Sequence, residues 1–338
     1  MIKISNNSIF YIVCPANYAS GGPEDLHQMG LALMQSGKKV FMHYLNYDAE
    51  KNSSPVHKEY EHYQIPYTFS IENSSQNIMI FPETFSIFIW EKKYSKIQKI
   101  IWWLSVSNFF TSLKAWEENF KENPPKLKHR LLGRIKLPTI ENVKKAKIHH
   151  LAHSHFSVDF LQKNKIEAIG KISGYMEDMF LTGKSYISQK KDIVTYNAVK
   201  NKDFLDKIRK LTPEINWLPM INMTLDEVAD CMISAKVYVD FGHHPGREKM
   251  PREACLLDCC LIIGKEGSAF FKQDVPIKDE YHFDKTEENI PLIIEKIKDC
   301  IANYDSKIKD FSDYKHDLLQ EKIIFQKNIN EIFAINEI

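Results

Sequence analysis

An excess of either charge is missing from this chain. Its 338 residues carry 45 Lys and Arg against 44 Asp and Glu, a formal net charge of +1, so no global field points to a nucleic acid. Apolar runs of about 18 residues are missing too, and with them any expected membrane-spanning helix. The N-terminus "MIKISNNSIFYIVCPANYAS" has a short apolar run but no basic stretch leading into a long one, so no signal peptide is expected. Six cysteines are present, Cys14, Cys231, Cys255, Cys259, Cys260 and Cys300, and none forms a C-x-x-C pair. That spacing argues against the common zinc frameworks and fits buried free thiols in a reducing cytoplasm. No G-x-G-x-x-G run occurs, which disfavours dinucleotide binding. No D-x-D triplet supplies a hard-metal site.

What is there reads as a globular protein of about two domains, with 43% apolar and 26% charged residues. Compact apolar runs predict buried strands at "IFYIVCP" (9–15), "KKVFMHYL" (38–45), "NIMIFPE" (77–83), "KIIWWLS" (99–105) and "KIHHLAHS" (147–154). The rhythm repeats with "DIVTYN" (192–197), "INWLPM" (215–220), "KVYVDFG" (236–242) and "CCLIIG" (259–264). Helical patterns lie between them. "EDLHQMGLALMQSG" (24–37) places Leu26, Met29, Leu31, Leu33 and Met34 on one face, with Gly37 as the stop. "KDFLDKIRKL", "TLDEVADCMIS" and "MPREACLLD" serve the second half. Periodicity lapses over 172–190, so the domain boundary falls there. The expected fold class is α/β: two tandem Rossmann-like, doubly wound domains, 1–175 and 176–310, facing across a cleft. Helices in 311–338 would follow and cross back to the first domain. Ligands of such sheets bind beyond the carboxyl ends of the strands.

Two loops carry the chemistry. In "CPANYASGGPEDLHQMG", a strand ends, Gly21 and Gly22 follow, and Pro23 opens a helix. Bare glycine backbone there either approaches a phosphate at the helix N-terminus or makes a tight turn. The acidic pair Glu24 and Asp25 at the same helix end disfavours a phosphate unless the acids contact hydroxyls. The second loop is richer: "DFGHHPGREKMPREACLLDCCLIIGKEGSA" (240–269). Gly246 permits a bend; Arg247, Lys249 and Arg252 offer positive charge; Met250 and Pro251 mark a helix start; Glu253 offers a carboxylate on that helix. A further glycine loop brings Gly267 and Ser268. Cations neutralise phosphates and a carboxylate accepts from both ribose hydroxyls, so this loop suits a nucleoside diphosphate better than a solvated loop with a lone ion pair.

These stretches resemble the GT-B glycosyltransferases, and glycosyltransferase family 4 (group 1) in particular. "GGPEDLHQMGLALMQSGKKVFMHY" is similar to that family's amino-terminal pattern, and "AKVYVDFGHHPGREKMPREACLLDCCLIIGKEGSA" to its donor-binding pattern. "TYNAVK" falls where the family has a strand followed by a basic phosphate-binding residue, which singles out Asn197 and Lys200. "FPETFS" and "WWLSVSNFF" resemble bacterial polysaccharide-locus transferases of this kind. The specific motifs cover about a quarter of the chain. One departure stands out: the family carries two glutamates separated by seven residues. Glu253 fits the second, expected on the ribose, but Pro245 occupies the place of the first, and Glu248 is too close in sequence.

The resemblance implies a metal-independent enzyme moving a sugar from a nucleotide-sugar donor to a glycan or lipid-linked acceptor, in assembly of a bacterial surface polysaccharide or lipopolysaccharide. The nucleotide sugar is a co-substrate, and no resident cofactor is implied. The first domain would present the acceptor and the second hold the donor. Lys200, Arg247 and Lys249 suit the leaving diphosphate, and His244 is a further donor contact. Glu83, at the exit of "IMIFPE", is the first candidate base and Asp25 the second. The paired histidines 149–150 and 243–244 sit on opposite faces of a strand and do not chelate readily. One of Trp102 and Trp103 is expected in the core, with "SVSN" lining the cleft. "KENPPKLKHRLLGRIKL" (121–137), with Leu127, Leu131, Leu132 and Ile135 among its basic residues, either rests on the inner face of an anionic membrane or is a solvated surface. The rivals are a GT-B-like protein that binds a glycan or nucleotide without turnover, a nucleotide-sugar epimerase, and an NAD-dependent oxidoreductase.

Overall fold

Apolar strands that alternate with helices can bury both faces only in a parallel sheet covered on each side. The computed structural model, which describes residues 2–124, 136–200 and 202–336, has two such sheets. The first holds β1 (Ile9–Pro15), β2 (Lys39–Leu45), β3 (Ile78–Pro82), β4 (Gln98–Trp103) and β5 (His149–Ala152) in the order β2-β1-β3-β4-β5. The second holds β6 (Lys191–Asn197), β7 (Asn216–Met220), β8 (Ala235–Asp240), β9 (Cys260–Gly264) and β10 (His282–Phe283) in the order β10-β9-β8-β6-β7. Every pairing between these strands is parallel.

Helices of the first sheet are α1 (Gly21–Gln35), α2 (Val106–Glu122), α3 (Ile140–Lys145) and α4 (His155–Lys163). Those of the second are α5 (Lys202–Lys210), α6 (Leu225–Ser234), α7 (Lys249–Leu256), α8 (Ile290–Ala302) and α9 (Tyr304–Lys307), and a last helix, α10 (Ser312–Ile332), is divided between the two units of the chain. The chain divides into unit 1, Met1–Gly174 with Ile323–Ile338, and unit 2, Tyr175–Lys322. Residues 311–322 thus group with unit 2 rather than with the end of the chain. Among the described residues no helix is long and apolar enough to cross a membrane.

Strand order places the functional loops. In unit 1 the chain leaves β1 for β2 on one side and then returns to β3 on the other. In unit 2 it leaves β6 for β7 on one side and returns to β8 on the other. Each sheet therefore has a topological switch point, β1/β3 and β6/β8, where the exit loops diverge and leave a crevice.

Several local features differ from the sequence reading. Gly21 and Gly22 are the first two residues of α1, after the N-cap Ser20, not a loop ahead of it. Helices α2 and α4 were not foreseen. Both start at serines, Ser105 and Ser154, whose side chains accept from Asn108 and Ser157 N–H groups. Strand β10 has two residues, too few to show any period. Trp102 and Trp103 are both fully buried, so both belong to the core. Their indole N–H groups donate to the Ile172 carbonyl at 3.1 Å and to His150 Nδ1 at 3.1 Å, which meets the polar demand of a buried indole.

Unit 2 has a cation at the opposite end of its sheet. Lys190, just before β6, donates to the carbonyls of Met232 (2.7 Å), Ala235 (2.9 Å) and Leu257 (2.5 Å). These are the carboxyl ends of α6 and α7, where a positive charge meets both helix dipoles. Lys190→Met should take the charged donor from those carbonyls and destabilise the protein by about 2–4 kcal/mol, lowering Tm by roughly 5–10 °C. A calorimetric shift within 1 °C of wild type, as an order-of-magnitude bound, would contradict this role.

Candidate functional site

The β6/β8 switch point gathers most of the residues singled out in the second half of the sequence. β6 ends at Asn197, whose Oδ1 accepts from the Val199 N–H at 2.9 Å and the Lys200 N–H at 3.2 Å. This Asx turn fixes the loop that carries Lys200. The Asn197 Nδ2 reaches Met250 Sδ at 3.2 Å, tying that loop to the first turn of α7. The Lys200 stem lies on Gly242, where a Cβ would come within 2.9 Å of the lysine Cβ. The Lys200 ammonium meets Glu248 Oε2 at 2.5 Å, with the two side chains 32% and 19% exposed.

The loop from β8 to α7 is pinned from the next strand. The Ser268 N–H donates to the His244 carbonyl at 2.8 Å, and the Ser268 hydroxyl donates to the Gly246 carbonyl at 2.5 Å. Gly267 has φ +61°, and a Cβ there would fall 2.0 Å from the His244 carbonyl oxygen. The glycine that this crossing requires is Gly267, by both conformation and space. Gly246 is not among the residues with positive φ, so its expected bend is made by ordinary backbone.

Arg247 and Arg252 face inward, contrary to their expected part in holding a phosphate. Both guanidinium groups pair with Glu321 of α10, Arg252 Nη1 at 2.9 Å from Oε2. Arg252 also donates to the Glu248 and Arg247 carbonyls, each at 3.1 Å, and Arg247 Nε to the Asp274 carbonyl at 3.3 Å. These groups build the loop and leave Lys200 as the cation at its solvent side. His244, expected to touch the donor, is fully buried. Its Nε2 lies 3.4 Å from Asp240 Oδ2. Asp240 accepts from the Tyr238 hydroxyl at 3.0 Å and the Gly242 N–H at 2.7 Å. Burial opposes the Asp240 charge, but His244, Lys200 and that N–H outweigh it and hold its pKa down at about 2.

Glu253 and Lys249 lie one turn apart on α7, with Pro251 between them buried. Burial pushes the Glu253 pKa up, against the pull of Lys249 and Arg252, and pulls the Lys249 pKa down, against the pull of Glu253.

The β1/β3 switch point of unit 1 holds the other candidates: Gly21, Gly22 and Asp25 after β1, and Glu83 after β3. Asp25 Oδ2 lies 3.0 Å from His153 Nε2, and a Cβ at Gly174 would fall 1.7 Å from Asp25 Oδ1. The carboxylate is walled in by a glycine backbone. Glu83 is 2% exposed and accepts from the Leu104 N–H at 2.9 Å. Burial pushes its pKa up to about 8, against N–H groups of Glu83 itself, Leu104 and Ser105. Both candidate bases are thus buried and held, one by an imidazole and one by the backbone leaving β4. Among the described residues no group of three or more His, Cys, Asp or Glu stands ready for a metal. Of the basic stretch 121–137, residues 125–135, with all four of its singled-out apolar positions, lie outside the described residues.

Sequence reasoning missed Asp240, Glu248 as a partner of Lys200, His153 and Glu321. A charged residue closing an apolar strand was a readable signal for Asp240. Glu321 had none, since it lies 69 residues beyond Arg252.

Glu83 generates a pH prediction. The folded protein keeps its proton to about pH 8, whereas an unfolded chain releases it near the ordinary glutamate value. Its stabilising effect is complete below that ordinary value and is lost as pH rises through about 8. Glu83→Gln keeps an acceptor and removes the titration. Urea unfolding should show wild type losing stability relative to the variant between about pH 5 and about pH 9; a constant difference would refute the assignment.

No family model matches the sequence, and no curated protein matches it. Solved structures match its fold. Sucrose-phosphate synthase from Thermosynechococcus elongatus has a TM-score of 0.64 at 12% identity, over 98% of this chain and 100% of that one. Anabaena HepE in complex with UDP-glucose has a TM-score of 0.61 at 10% identity, over 96% of this chain and 99% of that one. A variant of S. aureus TarM, in complex with fondaparinux, α-GlcNAc-glycerol and UDP, has a TM-score of 0.53 at 15% identity, over 78% of this chain and 56% of that one. With two parallel five-stranded sheets in the orders given above and neighbours of this kind, the chain has the fold of the GT-B glycosyltransferases.

Proposed function

We propose that this protein is a glycosyltransferase that takes its sugar from a UDP-sugar. The observation that carries the reading is the placement of Lys200 on the loop after β6 and of Glu253 on α7 after β8, the two sides of the switch point in unit 2. Lys200 offers a partly exposed ammonium on a loop fixed by Asn197. A diphosphate bound there gains charge-assisted hydrogen bonds as it departs from the sugar, when its negative charge grows. Glu253 offers a buried carboxyl whose charge burial disfavours. The two hydroxyls of a ribose would donate to it and stabilise its charged form. The uracil base rests on the neighbours: HepE is described with UDP-glucose and TarM with UDP.

In this reading Lys200 supplies the positive charge at the leaving group, and neither a metal nor a resident cofactor takes part. Unit 2 holds the donor and unit 1 presents the acceptor. The acceptor is a glycan or a lipid-linked acceptor in assembly of a bacterial surface polysaccharide or lipopolysaccharide, an assignment resting on the motif resemblance. Asp25 and Glu83 lie at the unit 1 switch point, where an acceptor hydroxyl would be placed.

Calorimetry against UDP, GDP, CMP and ADP tests the donor site. UDP should bind in the micromolar range, and Glu253→Gln should weaken it about tenfold or more, as loss of a charged hydrogen-bond acceptor implies. Tm of the variant separates this from unfolding. No binding of any of the four at millimolar concentration, or equal binding by the variant, contradicts the assignment.

A further inference from the structure

The ion pair between Lys200 and Glu248 closes the cation that the donor reading needs. It lies on the solvent side of the β6/β8 switch point, partly exposed on both partners. Asp240 feels the Lys200 charge while accepting from Tyr238 and Gly242; among the described residues Glu248 is the carboxylate paired with the ammonium. The two ends of Glu248 are held very differently. Its carbonyl accepts from Arg252 Nε at 3.1 Å, and Arg252 is fixed in turn by Glu321. Its side chain makes no cap hydrogen bond to α7, although the residue is the N-cap of that helix. The carboxylate can therefore leave Lys200 by side-chain rotation while the loop stays in place. Once released, it remains beside the positive end of α7.

We propose that Glu248 is an intramolecular competitor for the donor's diphosphate: its carboxylate occupies Lys200 until a diphosphate displaces it. This deepens the donor reading and rests on it. A diphosphate brings more charge than one carboxylate and can make the exchange; an uncharged nucleoside cannot. A ligand that offers a base and ribose alone does not use the lysine, so it neither opens the pair nor loses affinity to it. The exchange also explains why the acid stands here, where unopposed positive charge would otherwise bind any phosphate. Each ligand that uses Lys200 loses affinity by the strength of the internal pair. For a partly exposed pair that is about fivefold, the factor corresponding to the upper end of surface ion pairs.

Calorimetry with UDP, GDP, ADP and uridine on wild type, Glu248→Gln, Lys200→Met and the double variant tests the proposal. Glu248→Gln should bind its diphosphate about fivefold tighter at low salt, with the gain shrinking at high salt. Uridine affinity should not change. Lys200→Met should weaken the diphosphate, and adding Glu248→Gln to it should restore nothing, because the competitor acts only through the lysine. A diphosphate bound equally, or less tightly, by Glu248→Gln overturns the proposal and leaves the donor reading standing. A gain that persists without Lys200 overturns it too, since it would then reflect general charge. Failure of wild type and Glu248→Gln alike to bind any of the three diphosphates overturns both.

Discussion

One carboxylate holds the functional loop of unit 2. Glu321 accepts from both Arg247 and Arg252, and all three are largely buried. A buried ion group of this sort adds little net stability, because desolvation offsets the attraction, but removing one partner leaves a buried charge uncompensated. Its effect is geometric. The carbonyls of Arg247, Glu248 and Asp274 accept from the same two guanidinium groups, so the path from Gly246 into α7 has few alternatives. Glu248 and Glu253 take their positions from that fixed path, and Lys200 takes its own from the Asn197 turn. The arrangement also separates two tasks. The arginines organise the loop from inside, and the lysine stays at the surface where exchange with a ligand is cheap.

The two units share a topology and differ in chemistry. Each has a switch point, and each brings acids to it. In unit 1 those acids are buried and quiet: Glu83 is held by backbone N–H groups and Asp25 by His153. In unit 2 the acids come with cations, as Lys200 with Glu248 and Lys249 with Glu253. A charged ligand therefore finds counter-charge in unit 2. The unit 1 crevice offers hydroxyl-accepting groups with little free charge. The proposed reading puts a diphosphate donor on unit 2 and a neutral acceptor on unit 1.

Much of the fold was legible because parallel strands buried on both faces read as unbroken apolar runs. The nine foreseen strands all exist, with ends displaced by at most two residues. Loops were harder. The sequence shows that Arg247, Lys249 and Arg252 crowd together, but not that Glu321 lies against two of them, since nothing local announces a partner 69 residues on. Charge in a loop was read as charge for a ligand; two of its three cations neutralise the protein's own helix. Gly246 and Gly267 look alike in sequence, and only the approach of the His244 carbonyl decides that Gly267 is the one that must lack a side chain. The adjacent tryptophans were split between core and crevice because neighbours on a strand face opposite ways. In a sheet covered on both sides, opposite ways are both core.

A crystal structure of the protein with UDP tests the account most directly, because it locates the ligand without assuming the chemistry. The account predicts a diphosphate on Lys200, Glu248 rotated away from it, and the ribose hydroxyls on Glu253. UDP bound elsewhere in the protein, with the Lys200–Glu248 pair intact, would contradict it.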